Sequence, residues 1–170
     1  ITPFLQIGGD ASAKEGWRIA VSMIYGYTKN REKAWEIIEK LGLCSEQESK
    51  VQFTMADRKI NAVMSTSAGR LFDAVSAILG IRRQSSFEGE ASTALQFAAE
   101  EFEQKGKLNG NEIWDNVQPV ILGLEGRCIL NTEALVKQIV EAKLQGTDSG
   151  ALAYLFHQTL AEQIVVACIE

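Results

Sequence analysis

Apolar residues recur every three or four positions through most of this chain, and this spacing constrains the fold more than any other feature. Trp17, Ala20 and Ile24 show it in the first such segment. An apolar stripe of this period lies along one side of an α-helix and is buried when the helix packs. A chain of 170 residues is long enough to enclose one hydrophobic core. The sequence therefore predicts a single, mainly α-helical domain covering residues 1–170.

Cap and stop signals divide the pattern into about seven helices. Asp10 is a candidate N-cap of the first helix, and Gly42 ends the second. Ser45 followed by Glu48 has the capping-box spacing that opens the third. The predicted helices cover about 10–27, 31–41, 45–57, 65–80, 90–104, 131–145 and 147 onwards.

Between about residues 109 and 131 the apolar period changes to two. The alternating residues there are Val120, Leu122, Cys128 and Leu130. Alternation on both sides of residues 124–126 predicts a short β-hairpin. Residues 2–9 are predicted to be extended, and residues 59–64 to connect two helices.

Composition excludes several classes of function. The net charge of −5 gives no general attraction to a phosphate backbone, so nucleic-acid binding is not expected. No apolar run approaches the roughly 20 residues that span a bilayer. Cys44, Cys128 and Cys168 are odd in number and far apart, which favours reduced thiols in the cytoplasm. His157 is the only histidine, so we predict no metal site within the chain.

The two ends suggest an internal piece of a longer protein. The chain begins with Ile1, and residues 164–170 continue an apolar helical pattern without a stop signal. We expect the unfinished last helix to present an apolar face through which two copies can associate.

The start of the fourth helix is the strongest candidate site. Residues 65–67 offer hydroxyl groups and free backbone N–H groups at a helix N-terminus, which favours an anion. Gly69 leaves room for a bulky group beside the backbone. Arg70 and Asp73 lie on a face distinct from the apolar stripe and suit a phosphate and a ribose diol. The residues equally fit a capped surface helix with an Arg–Asp pair that contributes about 0.2–0.5 kcal/mol.

Other polar residues favour structural roles. Glu88 and Glu90 flank Gly89 just before a helix, where carboxylates complement the helix dipole. His157 follows the apolar side of the last helix and is interpreted as a hydrogen-bonded packing residue. One histidine and scattered acids form no recognisable triad, so no catalytic residue is predicted.

The order of these motifs resembles a known family. The segments concerned are TSAGRLFDAV at 66–75, LG at 79–80 and FEGEA at 87–91, with flanking landmarks at 8–10, 17–18, 156–157 and 159–161. Together they are similar to the C-terminal carbamoyltransferase region of the HypF family, which matures nickel-iron hydrogenases. The resemblance covers nearly the whole chain.

The resemblance implies a fold and an activity for a longer parent protein. The fold would be a helical subdomain of an actin-like ATPase-type α/β enzyme. The family uses carbamoyl phosphate and ATP to make carbamoyl-adenylate, and it carbamoylates the C-terminal cysteine of HypE. Its metal-binding histidines and phosphate loops are absent here. The fragment alone is therefore expected to bind neither ATP nor the divalent metal appreciably and to be inactive.

The resemblance also assigns roles to residues. Asp73 matches an aspartate that holds the nucleotide ribose, and Gly89 matches a glycine that lies against the nucleoside. With Arg70, Gly69 and Ser67, these form the predicted nucleotide-binding set. Val63 stands where a proline is common in the family, so the loop that enters the motif is expected to be less rigid. Gln158 replaces the asparagine that usually follows the histidine, which weakens any catalytic role for His157.

Two other interpretations remain open. The chain could be a stand-alone helical interaction or regulatory domain. It could also belong to the related tRNA threonylcarbamoyl transferases, although Arg70 stands where those enzymes have glutamate. Glu88-Gly-Glu90 also replaces their Gly-Gly-Pro turn.

Overall fold

A computed structural model describes residues 1–105, 120–122 and 128–169 of the chain. Its elements in chain order are β1 (Phe4–Ile7), α1 (Ala11–Lys14), α2 (Gly16–Thr28), α3 (Arg31–Lys40), α4 (Glu46–Arg58), β2 (Ala62–Ser65), α5 (Ala68–Ile78), α6 (Glu90–Gln104), β3 (Val120–Leu122), β4 (Cys128–Leu130), α7 (Thr132–Leu144) and α8 (Ser149–Ile169). The mainly α-helical prediction is confirmed.

The core forms where α2 and α5 pack against each other and α6 packs along α8. The predicted stripe of α2 is buried, with Trp17 only 1% exposed and Ile24 fully enclosed. In α5, every residue from Leu71 to Ile78 except Phe72 is buried. Because α5 lies between other helices, it has little free surface beyond its first turn.

Helix ends follow the local signals in the sequence. Ser45 and Glu48 form the predicted capping box at the start of α4. The side chain of Asn131 accepts a hydrogen bond from the Ala134 N–H at 3.3 Å. The Asp148 carboxylate accepts one from the Ala151 N–H at 3.1 Å and caps α8. Each cap satisfies a backbone N–H that the helix itself cannot.

The predicted hairpin is confirmed, and a second two-stranded sheet was not predicted. Strands β3 and β4 pair antiparallel with Val120 opposite Leu130, and the turn between them lies outside the described residues. Strands β1 and β2 also pair antiparallel, with Phe4 opposite Ser65. The segment interpreted as a connection is therefore a strand that pairs with a distant part of the chain.

The first predicted helix is interrupted. Glu15 has φ −107° and ψ 78°, outside the helical region, and separates α1 from α2. The predicted N-cap is wrong in detail, because the Asp10 side chain makes no capping hydrogen bond. The break turns α2 so that its first residue, Gly16, meets the backbone of α5.

Helix α8 is the longest element and only part of its surface is covered. By length and composition alone it is apolar enough to cross a membrane, and core helices of soluble proteins commonly share this length and composition. It supplies Leu152 and Phe156 to the core. Toward its end, Ile164 is 48% exposed and Val165 57% exposed. The expected apolar face is therefore present on the described part of this helix.

Candidate functional site

The first turn of α5 is an exposed helix N-terminus. Ser67 caps it, because its hydroxyl accepts a hydrogen bond from the Arg70 N–H at 3.4 Å. The Ser65 hydroxyl accepts another from the Ser67 N–H at 3.2 Å. A Cβ added at Gly69 would come no closer than 3.8 Å to another atom. The turn thus combines free space with the partial positive charge that binds anions.

The Arg70 side chain bridges two helices at this turn. Its Nη1 donates to the Ala13 carbonyl oxygen of α1 at 2.5 Å and lies 3.0 Å from Asp73 Oδ2. The Arg70 side chain is only 18% exposed. The pair is therefore not the exposed Arg–Asp pair expected for a capped surface helix. Its two contacts hold the guanidinium beside the helix N-terminus.

Asp73 is buried, with 6% of its surface exposed. The predicted polar face of α5 is wrong at this position, because α2 packs directly on the Asp73 backbone. A Cβ added at Gly16 would lie 2.6 Å from the Asp73 carbonyl oxygen. Only a residue without a side chain allows the two helices to approach so closely.

The Asp73 carboxyl lacks the hydrogen bonds that usually accompany burial. Oδ2 has no hydrogen-bond partner among the described residues, so the 3.0 Å contact with Arg70 is an ion pair with poor hydrogen-bond alignment. Burial raises the pKa of Asp73 above its ordinary value of 3.8, and the Arg70 charge opposes this only in part. An unsatisfied buried oxygen of this kind is stabilised by any ligand that brings hydroxyl donors to it.

The loop before α6 is held in one shape by hydrogen bonds. The Ser86 N–H and hydroxyl donate to Glu90 Oε2 at 2.6 and 2.9 Å, which lowers the pKa of Glu90. The Ser85 N–H donates to the Lys14 carbonyl oxygen at 2.7 Å. Gly89 ends the loop with φ 83°, a left-handed conformation that favours glycine.

Helix α1 joins the two predicted segments. Its consecutive carbonyl oxygens, at Ala13 and Lys14, accept hydrogen bonds from Arg70 and Ser85 respectively. The start of α5 and the loop that leads to Gly89 are thus anchored to the same short helix. Sequence reasoning missed this link, because a backbone carbonyl leaves no mark on residue identity. Gly16, a glycine inside a helical pattern, indicates only the close approach of α2 to α5.

Three clefts open elsewhere on the described surface, and none is lined by any of the five predicted residues. The largest of the three, about 460 Å³, lies among β1 and the ends of α2 and α4. In the part of the chain that the structure describes, no three His, Cys, Asp or Glu side chains are placed to hold a metal ion.

His157 has the packing role that its pattern predicted. Its Nδ1 lies 2.7 Å from the Ala153 carbonyl oxygen, one turn earlier in α8. Its ring packs edge-on against Phe72 and Phe156. The contacts explain the residue without a catalytic function.

Comparison with solved structures defines the fold. The fold matches a structure described as full-length HypF in the phosphate- and nucleotide-bound form, with a TM-score of 0.74, 23% identity and coverage of 95% of this chain and 19% of that one. It matches HypF of T. kodakarensis with a TM-score of 0.70 and 21% identity over 98% of this chain and 21% of that one. The chain has the fold of a helical subdomain that occurs within these much larger proteins.

Sequence comparison gives the family. The family described as carbamoyltransferase, Kae1-like domain, second subdomain matches residues 1–170, and the chain belongs to it. The "Probable carbamoyltransferase HypF" of Methanocaldococcus jannaschii is 31% identical over 157 residues, which are 92% of this chain and 18% of that protein. The "Carbamoyltransferase HypF homolog" of Cupriavidus necator is 29% identical over 161 residues, which are 93% of this chain and 38% of that protein.

Proposed function

We propose that this chain forms one wall of the nucleotide site of a carbamoyltransferase that acts in nickel-iron hydrogenase maturation. The family match over residues 1–170 supports the class of enzyme. The observation that carries the site is the buried Asp73 carboxyl, whose Oδ2 has no hydrogen-bond partner among the described residues. A ribose diol supplies two hydroxyl donors and would satisfy it.

The proposed reaction is that of a whole protein, because the relatives that this chain matches are much longer than the chain itself. Water first cleaves carbamoyl phosphate to carbamate and inorganic phosphate. A carbamate oxygen then attacks the α-phosphorus of ATP, which forms carbamoyl-adenylate and releases pyrophosphate. The thiol of the C-terminal HypE cysteine then attacks the carbamoyl carbon. A carbon–sulfur bond forms, the bond to the phosphate oxygen of AMP breaks, and the thiol proton leaves. We assign no residue of this chain to the bond-making step.

Arg70 must move when a ribose binds Asp73. In the described structure the guanidinium lies against Oδ2, which has almost no surface of its own. Once released, Arg70 stands beside the exposed N-terminal turn of α5. There it can contact a phosphate or carbamoyl oxygen together with the backbone N–H groups near Ser67 and Gly69. In this proposal, ribose binding and repositioning of Arg70 are one event.

Gly89 is proposed to lie against the nucleoside through its bare backbone. The divalent metal ion that accompanies ATP receives no ligand from this chain in the proposal. Its ligands and the phosphate loops belong to other parts of the protein. We therefore expect the 170-residue chain by itself to show no carbamoyl transfer and only weak ATP binding.

A cytoplasmic location is part of the proposal. Cys44, Cys128 and Cys168 are all free thiols in the structure. Free cysteines fit the reducing conditions of that compartment.

The test is ATP binding by the intact protein that contains this chain, measured by isothermal titration calorimetry. Asp73→Asn keeps the size of the side chain but loses the charged acceptor. Because hydrogen bonds to charged groups contribute about 1.5–3 kcal/mol, we expect affinity to fall by about 10- to 150-fold. Asp57→Asn is the matched control, since Asp57 also pairs with an arginine but lies on the exposed surface. Unchanged ATP affinity in Asp73→Asn would remove Asp73 from the site.

A further inference from the structure

Phe87 is an exposed aromatic side chain on a loop whose backbone is fixed. The residue is 64% exposed, and none of the ring contacts of the described residues includes it. Its neighbour Ser86 donates two hydrogen bonds to Glu90. The Glu90 N–H in turn donates to the Phe87 carbonyl oxygen at 3.4 Å. The closed turn therefore holds the ring out while leaving it little freedom to fold back.

The surface next to this ring is bare backbone. Gly89, two residues further on, has φ 83° and no side chain. A Cβ added there would meet only Ser92 Oγ, at 3.9 Å. An aromatic face beside an uncovered stretch of backbone makes a shallow shelf that suits a flat ligand.

The two arginines of the same loop are already engaged. Arg82 Nε lies 3.4 Å from Glu90 Oε1. Arg83 lies over the Trp17 ring at 5.5 Å and 3.8 Å from Glu48. Glu88, between Phe87 and Gly89, is exposed and makes no ion pair with the described residues. The free groups of the shelf are therefore a neutral ring and a carboxylate, which favour a planar base over a phosphate.

We propose that Phe87 stacks on the purine base of the bound nucleotide. The proposal deepens the proposed function and rests on it. Helix α1 anchors this loop through Lys14 and the Asp73–Arg70 pair through Ala13. A nucleoside can then place its base on the Phe87 shelf while its ribose reaches Asp73. Stacking between a base and an aromatic side chain tolerates any base, because every base has a π-face.

The experiment compares three variants of the intact protein by calorimetry with ATP. Loss of one stacked ring corresponds to about a 5- to 150-fold weaker affinity, which we expect for Phe87→Ala. Phe87→Tyr keeps the ring and should bind as the wild type does. Phe97→Ala is the matched control, because Phe97 is a similarly exposed phenylalanine, 62%, within α6. Thermal melting of each variant reports whether the fold is retained.

Two further measurements separate stacking from a general loss of the site. The wild type should quench the fluorescence of 2-aminopurine riboside triphosphate, and Phe87→Ala should not. Inorganic triphosphate, which has no base, should bind both proteins equally. If Phe87→Ala binds ATP as tightly as the wild type while Asp73→Asn binds it weakly, stacking is wrong and the nucleotide site stands. If the intact wild type binds no ATP, the proposed function fails and the stacking proposal fails with it.

Discussion

Replacing Gly16 with alanine tests the close packing that buries Asp73. The added Cβ would lie 2.6 Å from the Asp73 carbonyl oxygen and 3.0 Å from the carbonyl carbon. Both are backbone atoms, so the clash is relieved only if α2 moves away from α5. Overpacking costs about 1–3 kcal/mol, and alanine returns at most about 1 kcal/mol of helix propensity. We expect a net loss of about 1–2 kcal/mol in the free energy of unfolding, or roughly 2–8 °C in Tm.

Gly26→Ala is the matched control in the same helix. No atom lies within 4 Å of a Cβ added at Gly26, so this variant should gain up to about 1 kcal/mol. Urea unfolding followed by circular dichroism measures both changes. The Gly16 variant should also weaken ATP binding by the intact protein, because α2 and Asp73 move together. A Gly16→Ala midpoint equal to or above that of the wild type would refute the described contact and the burial of Asp73.

Three other outcomes follow from named contacts. Because burial raises the pKa of Asp73 above 3.8, the folded state binds the Asp73 proton more tightly than the unfolded state does, and protonation at low pH stabilises the fold. As the pH rises through the folded-state pKa, the stability of the wild type relative to Asp73→Asn should fall, as urea titrations would show. Ser45→Ala removes the α4 capping box and should cost about 1 kcal/mol in thermal melts. Val165→Glu should abolish self-association of the 170-residue chain in sedimentation velocity, because Val165 is 57% exposed on the apolar end of α8.

Local features of the fold could be predicted because their causes are local. The capping box of Ser45 and Glu48 is set by residues three positions apart, and the structure has it. The apolar stripe of α2, which includes Trp17 and Ile24, was predicted from the helical period alone and is buried in the structure. The hairpin of β3 and β4 joins neighbouring segments, so its alternating pattern sufficed.

Features that depend on distant contacts were missed. Strand β2 pairs with β1, which lies far from it in the sequence. Its own residues do not alternate between buried and exposed, because the consecutive residues Val63 and Met64 are both exposed. The break at Glu15 precedes Gly16, whose contact with the α5 backbone joins residues far apart in the sequence. The burial of Asp73 has the same origin. For the candidate site, the role of the five residues stays a prediction, and the sequence did not show that Arg70 covers Asp73.

The position of Arg70 allows a last prediction that separates its two proposed roles. The guanidinium lies against the carboxylate that would hold the ribose, and it is also the group proposed to contact a phosphate. Arg70→Ala should therefore uncover Asp73 and tighten binding of adenosine to the intact protein. The same change should reduce the preference for ATP over adenosine by about tenfold, because a charge-assisted hydrogen bond is lost. Calorimetry with both ligands measures the two effects together. Equal weakening of adenosine binding and ATP binding would mean that Arg70 only supports the fold through its contacts with Ala13 and Asp73. Arg70 would then not move from the carboxylate to a phosphate.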